Sequence, residues 1–288
     1  MSDTLHIGEL PDLLVEDAVK RAFAEDFGLA GDLTSQATLG RSASATATLS
    51  AREPGVIAGL PLVAAAFRLI GDGVTFEGNM RDGDRVEVGQ VVGHVWGNAR
   101  QVMSAERTAL NFLNHLSGIA TLTRRFVDAV EGTGAKICDT RKTTPGLRAF
   151  QKYAVRCGGG SNHRYALDDA ILIKDNHIAV AGSAAAAYKA AREFAGHLVA
   201  IEVEVVSLEQ LEEVLEAGAT IVLLDNMDND MLRRAVELNK GRARLEASGG
   251  VKLDRVRSIA ETGVNYISTS QITMSAPPLD LGLDVVIS

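Results

Sequence analysis

Six candidate strands in the second half of this chain each end in residues that can bind or move charge. The first, 135–139, ends at Asp139 and runs into Thr140, Arg141 and Lys142. The second, 170–174, ends at Lys174 and continues as Asp175-Asn176-His177. The third, 199–204, carries Glu202 and Glu204, and the fourth, 220–225, closes on Asp225-Asn226. The fifth, 243–247, leads into Ser248-Gly249-Gly250, and the sixth, 264–269, ends as Ser268-Thr269-Ser270. A single polar residue in such a place is readily a helix cap. Six in succession describe a functional rim, because ligands of parallel βα folds sit at the carboxyl ends of the strands.

Two kinds of charge lie on that rim. Residues 139–177 hold seven basic side chains (Arg141, Lys142, Arg148, Lys152, Arg156, Arg164 and Lys174) against four acids, within a chain of net charge −8. A basic island in an acidic protein suits a small, strongly anionic ligand, with Arg forking carboxylates or phosphates and Lys acting as a mobile point charge. The second kind is the pair Glu204 and Asp225, which suits hydroxyl recognition or Mg²⁺, or forms plain salt bridges to the basic groups. Ser248-Gly249-Gly250 ahead of a helix offers backbone N–H groups to a phosphate, although three residues are a weak motif. Gly158-Gly159-Gly160 opens no helix and reads as a flexible loop that brings His163 and Arg164 to the ligand. The histidines show no metal-ligand spacing, and His6, His94, His115 and His197 read as surface or packing residues.

The elements that must hold these groups fall into two textures. Helical spacing over 11–27 precedes short β-rich runs at 45–51, 56–59, 74–76, 86–88 and 91–95, with 82–90 reading as a tight strand–turn–strand unit. A long helix, 104–115, gathers Ala109, Phe112, Leu113 and Leu116 on one side, and Arg107, Asn111, Asn114 and Gly118 on the other. Strands then alternate with helices at 183–195, 208–217, 229–239 and 253–262. Repeated βα units with nearly unbroken apolar strands imply a parallel sheet buried on both faces. About six units suit an incomplete βα barrel better than a full eight-fold one, with an open doubly wound sheet as the competitor.

At 288 residues the chain can bury a substantial core, and its 46% hydrophobic and 23% charged content rules out disorder as the dominant state. The net negative charge argues against general nucleic-acid binding. Cys138 and Cys157 form no C-x-x-C pair and read as small buried thiols. No apolar run spans a bilayer, and residues 1–15, with Asp3, Glu9 and Asp12, lack the pattern of a signal peptide, so a cytoplasmic, non-membrane protein is expected.

Read as words, the residues say more. Glu106-Arg107-Thr108-Ala109-Leu110-Asn111, Asp139-Thr140-Arg141-Lys142-Thr143-Thr144-Pro145-Gly146-Leu147-Arg148, Asn162-His163-Arg164, Ile171-Leu172-Ile173-Lys174-Asp175-Asn176-His177, Glu202-Val203-Glu204-Val205 and Leu223-Leu224-Asp225-Asn226 resemble the quinolinate phosphoribosyltransferase family. The similarity extends from Glu25-Asp26 to Leu281-Gly282-Leu283-Asp284.

The resemblance implies an α/β fold: an N-terminal α/β sandwich domain over 1–115, to which 273–288 returns, and an incomplete, six- to seven-stranded α/β barrel over 116–272. It implies transfer of phosphoribosyl from phosphoribosyl pyrophosphate to quinolinate with decarboxylation, giving nicotinate mononucleotide, pyrophosphate and CO₂ in NAD biosynthesis, with Mg²⁺. It also implies a homo-oligomer, dimer or hexamer, in which Arg107 serves the neighbouring subunit's site. Arg141 and Arg164 then match the positions that grip the quinolinate carboxylates, with Thr140 and His163 beside them. Lys142 and Lys174 match positions near the pyrophosphate and the reacting centre. Glu204 and Asp225 match the acids that hold ribose hydroxyls, directly or through Mg²⁺. Ser248, Gly249 and Gly250 match the 5′-phosphate loop, and Thr269, Ser270 and Gln271 a second phosphate-facing turn.

In that turn the chain departs from the family's Gly-x-Leu-Thr-His-Ser, reading Ser270-Gln271-Ile272-Thr273-Met274-Ser275. Other readings are a molybdenum-transport relative of similar fold, a nicotinate-using transferase, an aldolase-like lyase with Lys174 as Schiff base, and a carrier built on the 82–90 hairpin. The last lacks a lysine to modify at its turn.

Overall fold

The structure is a computed structural model that describes residues 7–287; residues 1–6, His6 among them, and Ser288 lie outside the described residues. The elements of the first part are α1 (Asp12–Phe27), α2 (Leu33–Thr38), β1 (Ser44–Ala51), β2 (Gly55–Val56), α3 (Leu60–Leu69), β3 (Val74–Gly78), β4 (Arg85–Val86), β5 (Val91–Asn98) and α4 (Ala99–Ala129). Next come β6 (Lys136–Cys138), α5 (Arg148–Cys157), β7 (Ala170–Ile173), α6 (Asp175–Ala181), α7 (Ala184–Phe194), β8 (Ala200–Val205) and α8 (Leu208–Glu216). The chain ends with β9 (Ile221–Asp225), α9 (Asn229–Asn239), β10 (Arg244–Ser248), α10 (Leu253–Ala260), β11 (Tyr266–Ser268), α11 (Gln271–Met274) and β12 (Leu281–Ile287). They form two compact units, one up to Arg124 with Pro145–Gly159 and the chain from Ala276, the other Arg125–Thr144 with Gly160–Ser275.

In the first unit an antiparallel sheet runs in the order β12-β1-β5-β3. Alternation in β1 buries Ala45, Ala47, Leu49 and Ala51 while Ser44 and Thr46 face out, the period-two signature of a sheet covered on one face. The cover is α3 and α4: Val63, Phe67, Ala109, Leu110 and Leu113 meet Leu49 and Leu283. Two sequence expectations change here. Residues 60–69 are a helix, absent from the expected run of short strands. The 82–90 segment is no hairpin with the following strand, because β4 pairs with β2 while β5 pairs with β1 and β3.

The helix α4 is longer than the expected 104–115, and its polar stripe divides. Arg107 and Asn111 are exposed, whereas Asn114 and Gly118 hold the returning chain. Asn114 O accepts from Leu279 N at 2.9 Å, and a side chain at Gly118 would strike Pro277 O. The return ends with β12 alongside β1.

The helix α5 also packs in this unit, so Arg148, Lys152 and Arg156 belong to it and not to the expected rim; Lys152 is fully buried. Its Tyr153 hydroxyl donates to Asp82 Oδ2 at 2.7 Å, and Asp82 caps α3 by accepting from Gly59 N and Leu60 N. Burial pushes the Asp82 carboxyl up, and burial next to it pushes the Tyr153 hydroxyl up. The glycines after α5 are packed, contrary to the expected flexible loop. Gly158 is buried, and a Cβ there would lie 2.5 Å from Ala120 O.

The second unit is a six-stranded parallel sheet, β6-β11-β10-β9-β8-β7, with a single parallel bridge from Cys138 to Ser161 beside β6. It is an incomplete barrel. Ile173, Val203, Val205, Val222, Leu224, Leu245 and Ile267 are buried on one face. By period two, Lys174, Glu202, Glu204, Asp225, Glu246, Ser248 and Ser268 share the other. The strands were expected to be apolar with polar ends. Instead, acids continue down the inner face.

Candidate active site

The carboxyl ends of the parallel strands place the loops after β6, β7, β8, β9, β10 and β11 at one edge of the second unit. After β7, Lys174 is held twice. Its backbone N–H donates to His177 Nδ1 at 2.9 Å, which fixes the start of α6. Its Nζ lies 2.6 Å from Glu204 Oε2, with 47% of the Lys side chain and 11% of the Glu side chain exposed. That ion pair keeps an ammonium at the rim and gives a nearly buried carboxylate its countercharge.

On the neighbouring strand, Asp225 Oδ2 accepts from Asn226 Nδ2 at 2.7 Å. Asn226 sits in the left-handed region (φ 56°) and its N–H bonds Ser248 O at 2.9 Å, tying this turn to the next. Gly249 (φ 92°) and Gly250 (φ 60°) follow, and a Cβ on Gly249 would collide with the Asn226 side chain. Only glycine makes this close turn ahead of α10 without strain.

The turn after β11 is a clip. The Thr269 hydroxyl donates to Val251 O at 3.1 Å and accepts from Gln271 N at 3.2 Å, so the expected phosphate-facing residue is buried with its hydroxyl serving the loops. Thr273 Oγ1 donates to Lys142 O at 2.8 Å, and Thr140 Oγ1 accepts from Lys142 N at 3.0 Å, so both sides of the Lys142 peptide are fixed. Ser270 has φ −80° and ψ −10°, a conformation open to any residue, which accounts for the loss of the family's glycine there. Met274, in place of its histidine, is exposed.

Arg141 and Arg164 are half-buried. Burial, and next the Arg141 charge, hold the Arg164 guanidinium below its usual range. Two like charges near each other favour a bound anion. Arg164 Nη1 donates to Ala170 O at 3.0 Å, while its Nε is buried without a hydrogen-bond partner.

Beneath them Asp139, fully buried, is a pillar of the fold, not the rim charge expected. Its carboxylate accepts from His163 N at 2.9 Å and Asn162 Nδ2 at 2.6 Å. His163 Nδ1 accepts from Arg164 N at 2.7 Å, so its proton sits on Nε2, 2.8 Å from Glu202 Oε2 and 3.7 Å from Glu246 Oε1. Burial first, then the Glu202 charge, pushes the Glu246 carboxyl up to about 7.

The three ligand-type atoms lie within 4.8 Å of one another, but the Nε2 proton already occupies the histidine's side of that group. A cavity of about 260 Å³ adjoins it, walled by Cys138, His163, Arg164, Glu202, Glu246 and Tyr266. It extends towards the amino ends of the strands, at Ala170, Ala200 and Ile221, away from the rim. Sequence reasoning did not single out Glu246. The signal was present in its spacing, two residues before Ser248 and therefore on the same face.

Residues 119–284 match the C-terminal domain, and 32–117 the N-terminal domain, of quinolinate phosphoribosyl transferase. The chain belongs to this family. A nicotinate-nucleotide pyrophosphorylase [carboxylating] from Mycobacterium leprae is 46% identical, over 93% of this chain and 96% of that protein. A probable enzyme of the same name from Bacillus subtilis is 44% identical over 96% and 95%. The crystal structure of NadC from Streptococcus pyogenes superposes with a TM-score of 0.94 at 40% identity, covering 98% of this chain and 99% of that one. The family's two domain models thus cover every strand of the parallel sheet and the whole rim.

Proposed function

We propose that this chain joins quinolinate to the ribose of phosphoribosyl pyrophosphate, releasing pyrophosphate and CO₂ and leaving nicotinate mononucleotide, a step of NAD biosynthesis. The observation that carries this is the rim itself, where Lys174 pairs with Glu204 beside Asp225 and the Ser248-Gly249-Gly250 turn, with the Arg164 guanidinium close enough to feel the Arg141 charge. A dicarboxylate answers the arginines, the sugar hydroxyls answer the acids, and the glycine turn answers the 5′-phosphate.

As pyrophosphate leaves C1 of the ribose, positive charge builds on the sugar and negative charge on the leaving oxygen. Lys142 and Lys174 stabilise that oxygen. The pyridine nitrogen attacks C1, Arg141 and Arg164 holding the ring in line. Once the nitrogen is quaternary, the adjacent carboxylate departs as CO₂. The carbanion left beside N⁺ is an internally stabilised ylide, which then takes up a proton. His163 lines the acid-binding end.

Glu204 and Asp225 fit Mg²⁺ as hard oxygen donors on adjoining strands, with one oxygen of each already engaged, by Lys174 and Asn226, so they suit binding through water. When bound, Mg²⁺ neutralises pyrophosphate charge. Arg107, exposed on α4 of the first unit, is proposed to complete a partner protomer's site in a homodimer or larger assembly. The domain division 1–115 with 273–288 against 116–272 belongs to the same proposal; the compact units differ from it at 116–124, at Pro145–Gly159 and at 273–275. Among the described residues no helix is long and apolar enough to cross a membrane. Cytoplasmic residence is proposed and accords with two buried thiols, Cys138 and Cys157.

The test follows the label of the C2 carboxylate of quinolinate. Label leaves as CO₂ only when phosphoribosyl pyrophosphate is present, and nicotinate does not replace quinolinate. Release without the pyrophosphate, or equal use of nicotinate, would overturn the assignment. Gly249→Ala tests the phosphate turn: a left-handed alanine costs about 1–2 kcal/mol, so KM for phosphoribosyl pyrophosphate rises about tenfold while KM for quinolinate stays in place.

A further inference from the structure

We propose that Glu202 is a positioning residue for the acid-binding end of the site: by accepting the His163 Nε2–H it locks the imidazole, and through the imidazole it aims Arg164. The inference rests on the reading above that Arg164 grips quinolinate. Four observations lead to it. The ring is clamped at both nitrogens, Nδ1 by Arg164 N at 2.7 Å and Nε2 by Glu202 Oε2 at 2.8 Å, so the tautomer and the ring plane are set together. The His163 backbone is pinned by Asp139 at 2.9 Å, which leaves the side chain as the adjustable part.

Glu202 is only 7% exposed, and its second oxygen has no hydrogen-bond partner, a poor arrangement for stability alone. Its charge also acts directly on Arg164, partly offsetting the effect of Arg141. Glu202 therefore does two things for a residue it does not bond: it orders the peptide from which Arg164 springs, and its charge offsets part of the Arg141 repulsion on Arg164 before an anionic substrate arrives. The buried, unpartnered Nε of Arg164 is the edge so presented.

The experiment compares Glu202→Ala, Glu202→Gln and Arg164→Ala by steady-state kinetics with each substrate varied. Loss of a hydrogen bond to a charged partner predicts a rise of about tenfold or more in KM for quinolinate in Glu202→Ala, with KM for phosphoribosyl pyrophosphate within about twofold. Glu202→Gln keeps an acceptor for Nε2–H and is expected to recover most of the affinity. A purely structural role would lower the melting temperature and leave both KM values of the folded enzyme where they were, or move both together; either result overturns the inference. Arg164→Ala separates the two levels. If it raises KM for quinolinate and Glu202→Ala does not, positioning by Glu202 is wrong and the site stands. If Arg164→Ala itself leaves that KM unchanged, both fall. Should Glu202→Ala not fold, ¹⁵N NMR of the wild-type imidazole decides: a His163 protonated on Nε2 supports the inference, and one protonated on Nδ1 overturns it.

Discussion

Replacing Lys174 with alanine lowers turnover at least about a hundredfold, the ~2–4 kcal/mol expected when a donor aimed at developing negative charge is removed. The melting temperature moves far less. Lys174 is half exposed and packs little, and its backbone is held independently by His177. The variant leaves Glu204, 11% exposed at its side chain, without the ammonium at 2.6 Å, and a partner for that carboxylate has to come from water. KM for phosphoribosyl pyrophosphate should therefore rise as well, since the same carboxylate is proposed to hold the ribose. Arg141→Ala gives a comparable loss with the KM effect on quinolinate instead. Near-wild-type turnover in both variants would remove the proposed roles of this rim.

The second large effect concerns stability. Glu246→Gln is expected to stabilise the protein at pH 8 by up to about 3 kcal/mol, at 1.36 kcal/mol per pKa unit, and to do so less and less towards pH 4. The sign follows from the folded carboxyl being pushed up by burial to about 7, above the ordinary glutamate value of 4.5. A group whose pKa is raised on folding contributes its stability below the unfolded value and loses it as pH rises through the folded one. Wild type should thus lose stability between about pH 4.5 and 7, whereas the amide, the same shape without a proton to lose, should not. Melting curves of the two proteins at pH 5 and 8 check this; parallel shifts at both would show that Glu246 does not titrate differently on folding.

The strands of the barrel were legible because β-branched runs between Gly, Asp and Asn leave little choice of element. The rim was legible because a parallel sheet sends every carboxyl end to the same edge. What was not legible has physical reasons. The segment Leu60–Leu69 is apolar nearly all round, so it shows neither period, and only Pro61 at its first turn signalled a helix. Arg148, Lys152 and Arg156 counted as rim charges because sequence proximity hides that α5 packs in the other unit. Thr269 carries a side chain able to meet phosphate, but the hydroxyl is consumed in joining two loops, a choice made only by tertiary packing. Glu246 was passed over because a mid-strand acid looks like a defect until its neighbours across the sheet are known.

The placement of α5 has a consequence for modularity. Its Phe150, Ala154, Val155 and Cys157 are buried in the first unit, yet the chain enters and leaves it through the loops that follow β6 and precede β7. A fragment cut to the barrel alone would carry this helix with its greasy side bared and would aggregate instead of folding cleanly. Gene fusions, domain shuffling and truncation libraries must accordingly move the whole polypeptide, because the barrel is interrupted by a helix of the other unit.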